Sequence, residues 1–446
     1  FINELKQVLS ANDPDKNYVT FNIVDGTTNG WAANDVSKNS GVDFLYSEIW
    51  FKANSYNEMS QYIESIRERS GGKVPVLAAY MNYKENIGPR YEAEDALLTN
   101  TAVNNNHSGY TGVGFVDQFA SPGDAATFTI HAPEDGYYSL VFRHGNATGS
   151  DATRHLYVDN AFVKELSFHW MPSWDMWSTE VYVQLQLSAG THAVKLAYDS
   201  GNSGAINLDS LTLGTFNEPS VLLADAMMAA SGATHIELGE DSQMLAHEYY
   251  PNRSKSVRES LKAKLRDHYN FITAYENLLF GRDLVRGDAG LQFIGIDGAD
   301  ASGDGSANKV WHITKRSPEY TVVHLINLVG NDDQWRNEAN VPPLLTDLDV
   351  KVYLGEHETI SNVYLASPDI DHGATQELSF ASGADGNGKY VAFTVPSLKY
   401  WDMIYMKRTF SAPSGNVYEA ENAIKTNTGV NNNHSGYTGS GFVDLF

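Results

Sequence analysis

Glu48 stands near the end of a short apolar run, Val42-Asp-Phe-Leu-Tyr-Ser-Glu-Ile-Trp50, that reads as a buried strand. Side chains alternate along a strand, so Tyr46 and Trp50 share its face. A carboxyl group among aromatic rings is costly to ionise, and its pKa is expected to rise toward the range of a general acid. Aromatic faces also suit the apolar faces of sugar rings. The plainer alternative is a strand-end Glu that reaches solvent. Asp25, Asn82, Lys84, Glu240 and Asp241 end other predicted strands and are candidates to join it. His235 and Glu237 fall within a strand, are read as inward-facing, and rank below these.

A second constellation is Glu92, Glu94 and Asp209. Two residues apart on a predicted strand, Glu92 and Glu94 would point to one face and repel unless a cation or an Arg sits between them. Asp209 could close a hard-oxygen site of the kind calcium takes; the alternative is a solvated acidic edge. Nearby, Trp170-Met-Pro-Ser-Trp-Asp-Met-Trp177 packs Trp170, Trp174 and Trp177 into a Pro-containing loop. Such a loop is expected to offer a stacking platform, with Tyr110 and Asn207 as further contacts.

Three textures make up the chain. Residues 1-9 carry apolar groups at helical spacing, and strands are expected at 18-24, 42-50 and 74-80. Ser55-x-x-Glu58 is a capping-box pattern that opens a helix stopped by Gly71-Gly72. The pattern breaks at Tyr91 and resumes at Pro219 with a helix, a strand at 234-238, and a helix opened by a second capping-box pattern, Ser256-x-x-Glu259. Four strands with crossover helices predict a multidomain α/β plus all-β protein, whose first part, 1-90 with 215-281, is the C-terminal half of a (β/α)8 barrel. The insert, 91-214, alternates with period two between Gly, Asn and Asp turns and reads as a β-sandwich. An antiparallel β-sandwich domain is expected at 282-409, then a linker and a truncated second module at 410-446. Tyr91 to Phe119 returns as Tyr418 to Phe446 with six of 29 positions changed, which marks a reused binding module.

Composition narrows the partners. Fifty-five acidic residues against 31 basic give a net charge of -24, which argues against nucleic acid and anionic membranes. No Cys is present, so disulfides and thiol chemistry are excluded. No apolar run reaches membrane-spanning length. No organic cofactor is expected. The first residues sit inside a helix-like segment and the repeat stops within its module, as cut ends would. A secreted, extracellular bacterial monomer is expected.

Tyr46-Ser-Glu-Ile-Trp50, the inserted Tyr91-Glu-Ala-Glu94 module and the β region ending Tyr400-Trp-Asp-Met-Ile-Tyr405 together resemble glycoside hydrolase family 66. The insert resembles a family 35 carbohydrate-binding module, with structural calcium at Glu92, Glu94 and Asp209. The family resemblance implies a retaining enzyme on α-1,6-glucan, dextran or isomaltooligosaccharides, with Glu48 as acid/base and an Asp nucleophile. An inserted module implies transglycosylation to cyclic isomaltooligosaccharides; water as acceptor would make the enzyme an endo-dextranase. If 234-238 is the last barrel strand, Glu48 closes strand six and the nucleophile's strand precedes Phe1. The chain alone would then bind glucan without cleaving it.

Overall fold

A computed structural model describes residues 2-15, 18-24, 31-49, 52-81, 88-246, 254-287, 294-410, 419-426 and 428-444. Helix α1 (Ile2–Asn12) leads into β1 (Thr20–Val24), α2 (Trp31–Lys38), β2 (Phe44–Ile49), α3 (Tyr56–Ser70) and β3 (Pro75–Ala79). After the insert come α4 (Glu218–Ser231), the strand Thr234–His235 and α5 (Glu259–Ala274). β1, β2, β3 and Thr234–His235 lie side by side in that order, all parallel. Strands joined by crossover helices must run this way.

Local chemistry explains the helix ends. Ser55 accepts from the Glu58 amide at 3.1 Å, while Glu58 accepts from the Ser55 amide at 3.2 Å. Both limbs of the first capping box are therefore made, and such a cap contributes roughly 1 kcal/mol. α3 ends at Gly71 with φ 73°, the left-handed turn that glycine adopts without strain. α4 is buried from Pro219 to Ser231, as a helix apolar on all sides must be. It packs in one core with α3, α5 and the side chains of Trp311, Trp335 and Trp401.

Three expectations are corrected. The last strand of the sheet holds two residues rather than five; beyond it Ile236 and Leu238 are 44% and 51% exposed, and Leu238 bridges Met244 instead. Ser256 does not cap α5, which begins at Glu259 without a side-chain cap. Its hydroxyl instead meets Ser139 Oγ at 2.9 Å and accepts from Gln184 of the insert at 3.0 Å. Glu94 is not on a strand with Glu92, because the strand Arg90–Glu92 turns into a 3-10 segment at Ala93. The helix expected at 1-9 is present as α1, and its Ile2 packs half-buried against Val42, Leu45 and Ile66.

The insert is a two-sheet sandwich of five and six antiparallel strands with its own core, built on Phe119, Phe128, Phe142 and Phe168. Its entry strand, Arg90–Glu92, pairs with its exit strand, Ile206–Gly214, so both ends leave from one place. Two glycines permit that joint. A Cβ on Gly88 would lie 2.1 Å from the Leu213 carbonyl oxygen, and one on Gly214 would lie 1.9 Å from that of Ser254. Residues 294-410 carry a four-stranded antiparallel sheet and most of a seven-stranded sheet.

Candidate active site

Glu48 is set by the alternation of β2. Leu45, Ser47 and Ile49 are buried, and Phe44, Tyr46 and Glu48 are half-buried on the opposite face. The Ser47 hydroxyl meets the Tyr62 hydroxyl of α3 at 2.7 Å, so the buried face is the one toward the helix. Glu48 therefore projects from the side of the sheet away from α3, at the carboxyl ends of the parallel strands. Asn22 of β1 donates to Glu48 Oε1 at 3.0 Å, and Ala78 of β3 is the register partner of Glu48 on the other side. Burial, and then the charge of Glu48, raise the pKa of the Tyr46 hydroxyl, as expected for two groups on one face. Trp50, Asp25, Asn82 and Lys84 lie outside the described residues. Glu240 and Asp241 occupy an exposed turn beyond the last strand of the same sheet, with Asp241 at φ 49°.

The backbone behind Glu48 is held from far along the chain. Arg336 donates to the Ile49 carbonyl and to Asn54 Oδ1, both at 2.7 Å. Trp335 donates from its indole to the Ala53 carbonyl, and the Tyr56 amide donates to the Asp333 carbonyl at 2.9 Å. Ser55 bridges Gln334.

His235 and Glu237 face the helices, not the open side of the sheet. Glu237 accepts from the Tyr269 hydroxyl of α5, and His235 Nδ1 lies 2.8 Å from Asp225 Oδ1 of α4. Ile236, between them, is 44% exposed, so the inward reading of His235 and Glu237 is corrected. Burial alone would lower the His235 imidazolium, but Glu237 and Asp225 carry it up to about 9. Burial and the Asp225 charge push Glu237 up to about 8.

Glu92 and Asp209 are brought together in the insert by Thr111. Its hydroxyl donates to Glu92 Oε2 at 2.7 Å and meets Asp209 Oδ2 at 2.9 Å; its amide donates to Asp209 Oδ1 at 2.8 Å. Arg143 also donates to Asp209 Oδ2, so that carboxylate already has a cation. Glu94 Oε1 accepts from the Val113 amide at 2.7 Å, while its buried Oε2 accepts nothing. Gly112 lies between the pair: a Cβ there would be 3.1 Å from Glu94 Cδ and 3.2 Å from Glu92 Cδ.

The aromatic candidates divide. Trp174 and Asn207 line one cavity of about 220 Å³, together with His107 and Asp117. Tyr110 and Trp177 both pack on Phe115, at 5.7 and 5.3 Å between centroids, and Trp177 donates to the Ser108 carbonyl at 2.8 Å. Trp170 stands apart, 48% exposed.

The sequence model of glycosyl hydrolase family 66 matches residues 1-405. The chain belongs to that family. Across all 446 residues this family 66 chain is 65% identical to a cycloisomaltooligosaccharide glucanotransferase of Niallia circulans and covers 46% of that protein. It is 29% identical over 228 residues to a dextranase of Streptococcus salivarius, which is 46% of this chain and 28% of the dextranase. The crystal structure of a cycloisomaltooligosaccharide glucanotransferase from Paenibacillus sp., complexed with cycloisomaltoheptaose, matches with a TM-score of 0.85 at 65% identity. That match covers 91% of this chain and 58% of the other. The family 66 chain thus spans about half the length of the curated relatives it matches.

Two groups of polar residues in this family 66 chain escaped sequence reasoning. Asp225 was visible as the one charged residue inside Val221-Leu-Leu-Ala-Asp-Ala-Met-Met228, a polar break that a buried helix must satisfy. Arg336 gave no local signal, because its carbonyl partner lies 287 residues away.

Proposed function

We propose that this chain carries the acid/base of a retaining enzyme that converts α-1,6-glucan to cyclic isomaltooligosaccharides. The observation that carries the proposal is the 65% identity, over the whole chain, to a cycloisomaltooligosaccharide glucanotransferase. The position of Glu48 at the carboxyl end of β2, on the open face of a parallel sheet, supports it; active sites of barrels lie at that end. We read the four strands as the C-terminal half of a (β/α)8 barrel. Tyr46, Glu48 and Ile236 line the face away from the helices and remain partly exposed, where four further strands would close a barrel.

In this reading a carboxylate from the other half attacks the anomeric carbon and forms a β-glucosyl intermediate. The bond from that carbon to the leaving 6-oxygen breaks, and Glu48 gives its proton to that oxygen. Glu48 then takes the proton of the 6-hydroxyl at the far end of the same glucan as that oxygen bonds to the anomeric carbon. The ring closes and no water is consumed. Such a polymer does not cross membranes, so the enzyme acts outside the cell; among the described residues no helix is long and apolar enough to span a membrane.

We assign the insert to family 35-type glucan binding through Trp174 and Asn207, with Tyr110, Trp177 and Trp170 flanking. Structural calcium fits Glu92 and Glu94: both carboxylates close on Gly112, and Glu94 Oε2 is a buried oxygen without a donor. Asp209 and Glu92 contribute less than expected, since Arg143 and Arg90 already pair with them, which leaves Glu94 as the main donor.

Mass spectrometry of dextran digests made by a protein carrying this chain with its upstream family 66 sequence tests the function. Cyclic products, each lighter than the linear oligomer by one water, are expected. Linear products alone would make the protein a dextranase, and glucan binding with no products would reduce it to a binding protein.

A further inference from the structure

His235, Asp225 and Glu237 form a cluster that the proposed glucan chemistry does not use. It lies between the sheet and helices α4 and α5, on the face opposite Glu48. The three side chains are 3%, 1% and 0% exposed. One ligand atom from each lies within 4.8 Å of the other two, and among the described residues no other such group of three is found.

Two features go beyond a buried acidic cluster. Asp225 Oδ2 and Glu237 Oε2 are both fully buried and meet no donor other than a proton that the two carboxyls can share. A buried carboxylate oxygen left bare costs a few kcal/mol, so natural cores rarely keep even one. Next to them lies a cavity of about 270 Å³ lined by Asp225, His235, Tyr269, Met228 and Ile272.

Second contacts already orient the cluster as ligands need. His235 Nε2 is 2.8 Å from the Ala79 carbonyl, which can only accept, so that nitrogen carries the proton. Nδ1 holds its proton toward Asp225 Oδ1 at 2.8 Å; once that proton leaves, the Nδ1 lone pair faces Asp225 Oδ1 and, at 3.3 Å, Glu237 Oε2. The Tyr269 hydroxyl fixes Glu237 through its other oxygen. A backbone carbonyl behind a histidine and a hydrogen bond behind a carboxylate are the usual supports of a metal site.

We propose that this cluster binds one zinc ion, through His235 Nδ1, Asp225 and Glu237, with a water toward the cavity. Zinc would displace the protons that His235 and Glu237 hold without it; the two carboxylates and the neutral imidazole then carry two negative charges, which the divalent cation cancels. An imidazole with two carboxylates suits zinc, whereas calcium takes oxygen ligands only. Ligand atoms about 2 Å from zinc sit a little over 3 Å apart, close to the 3.3 Å found between His235 Nδ1 and Glu237 Oε2. The ion is structural. It ties α4 to the end of the sheet and, through Ala79, to β3, independently of any glucan chemistry.

The test is anomalous diffraction at the zinc edge from crystals of the untagged chain, stripped with chelator and then given one equivalent of zinc in excess calcium. A peak within bonding distance of His235 Nδ1 is expected, with a rise in Tm on adding zinc that His235→Gln abolishes. Peaks confined to surface histidines such as His155 or His169, or none at all, would overturn the proposal. Because the wild-type crystal decides, a variant that fails to fold leaves the test intact.

Discussion

At the residue scale, the proposed chemistry rests on carboxylates. Glu48 was legible because it interrupts an apolar strand, and strand period alone put it on a face with Tyr46. The same rule misjudged His235 and Glu237, since period fixes only that neighbours alternate and not which face meets the helices. Glu94 shows a different limit: its 3-10 turn breaks the strand on which pairing with Glu92 was argued, yet both carboxylates still close on Gly112. The bare Glu94 Oε2 leads to a prediction. Calcium should raise the melting temperature of the chain relative to chelator, and Glu94→Gln should remove the difference. Equal melting with calcium and with chelator, and no calcium retained on dialysis, would show that Arg143 and the backbone amides suffice.

At the element scale, β2 is held at its carboxyl end. Asn22 of β1 fixes the Glu48 carboxylate, and Arg336 with Trp335 fixes the backbone that follows it. Sequence periodicity found the helices and most strands because these follow local rules. It could not find the 332-336 clamp, which depends on a loop meeting residues nearly 300 positions earlier. Ser256 failed for a related reason: a capping pattern next to an inserted module was used to dock the module instead. The clamp matters if Glu48 is the acid/base, because small misplacements of a proton donor are costly. In an active protein carrying this chain, Arg336→Met should lower kcat on dextran by about tenfold or more with KM nearly unchanged. Arg336→Lys should not restore it, since one ammonium cannot span the Ile49 carbonyl and Asn54. A kcat within twofold of wild type would remove any positioning role.

At the scale of the whole molecule, a parallel sheet with one covered and one open face is joined to all-β regions that share or border its core. The net charge of -24 suits a neutral polymer as partner better than a polyanion. The four-strand count, the inserted sandwich and the β region after residue 282 were legible because each has its own hydrophobic period. The shared core of α4 with Trp311, Trp335 and Trp401 was not, since such packing leaves no period in sequence. The proposed role of Glu48 is best tested by Glu48→Gln in a protein that carries this chain with its upstream family 66 sequence. Dextran cleavage should fall by roughly a hundredfold or more, the scale of a lost general acid. A glycoside with an activated leaving group should still react, and azide, which needs no deprotonation, should speed its turnover and give a glycosyl azide of retained configuration. Near-normal dextran cleavage by the variant, or an azide of inverted configuration, would contradict the assignment of Glu48 as acid/base.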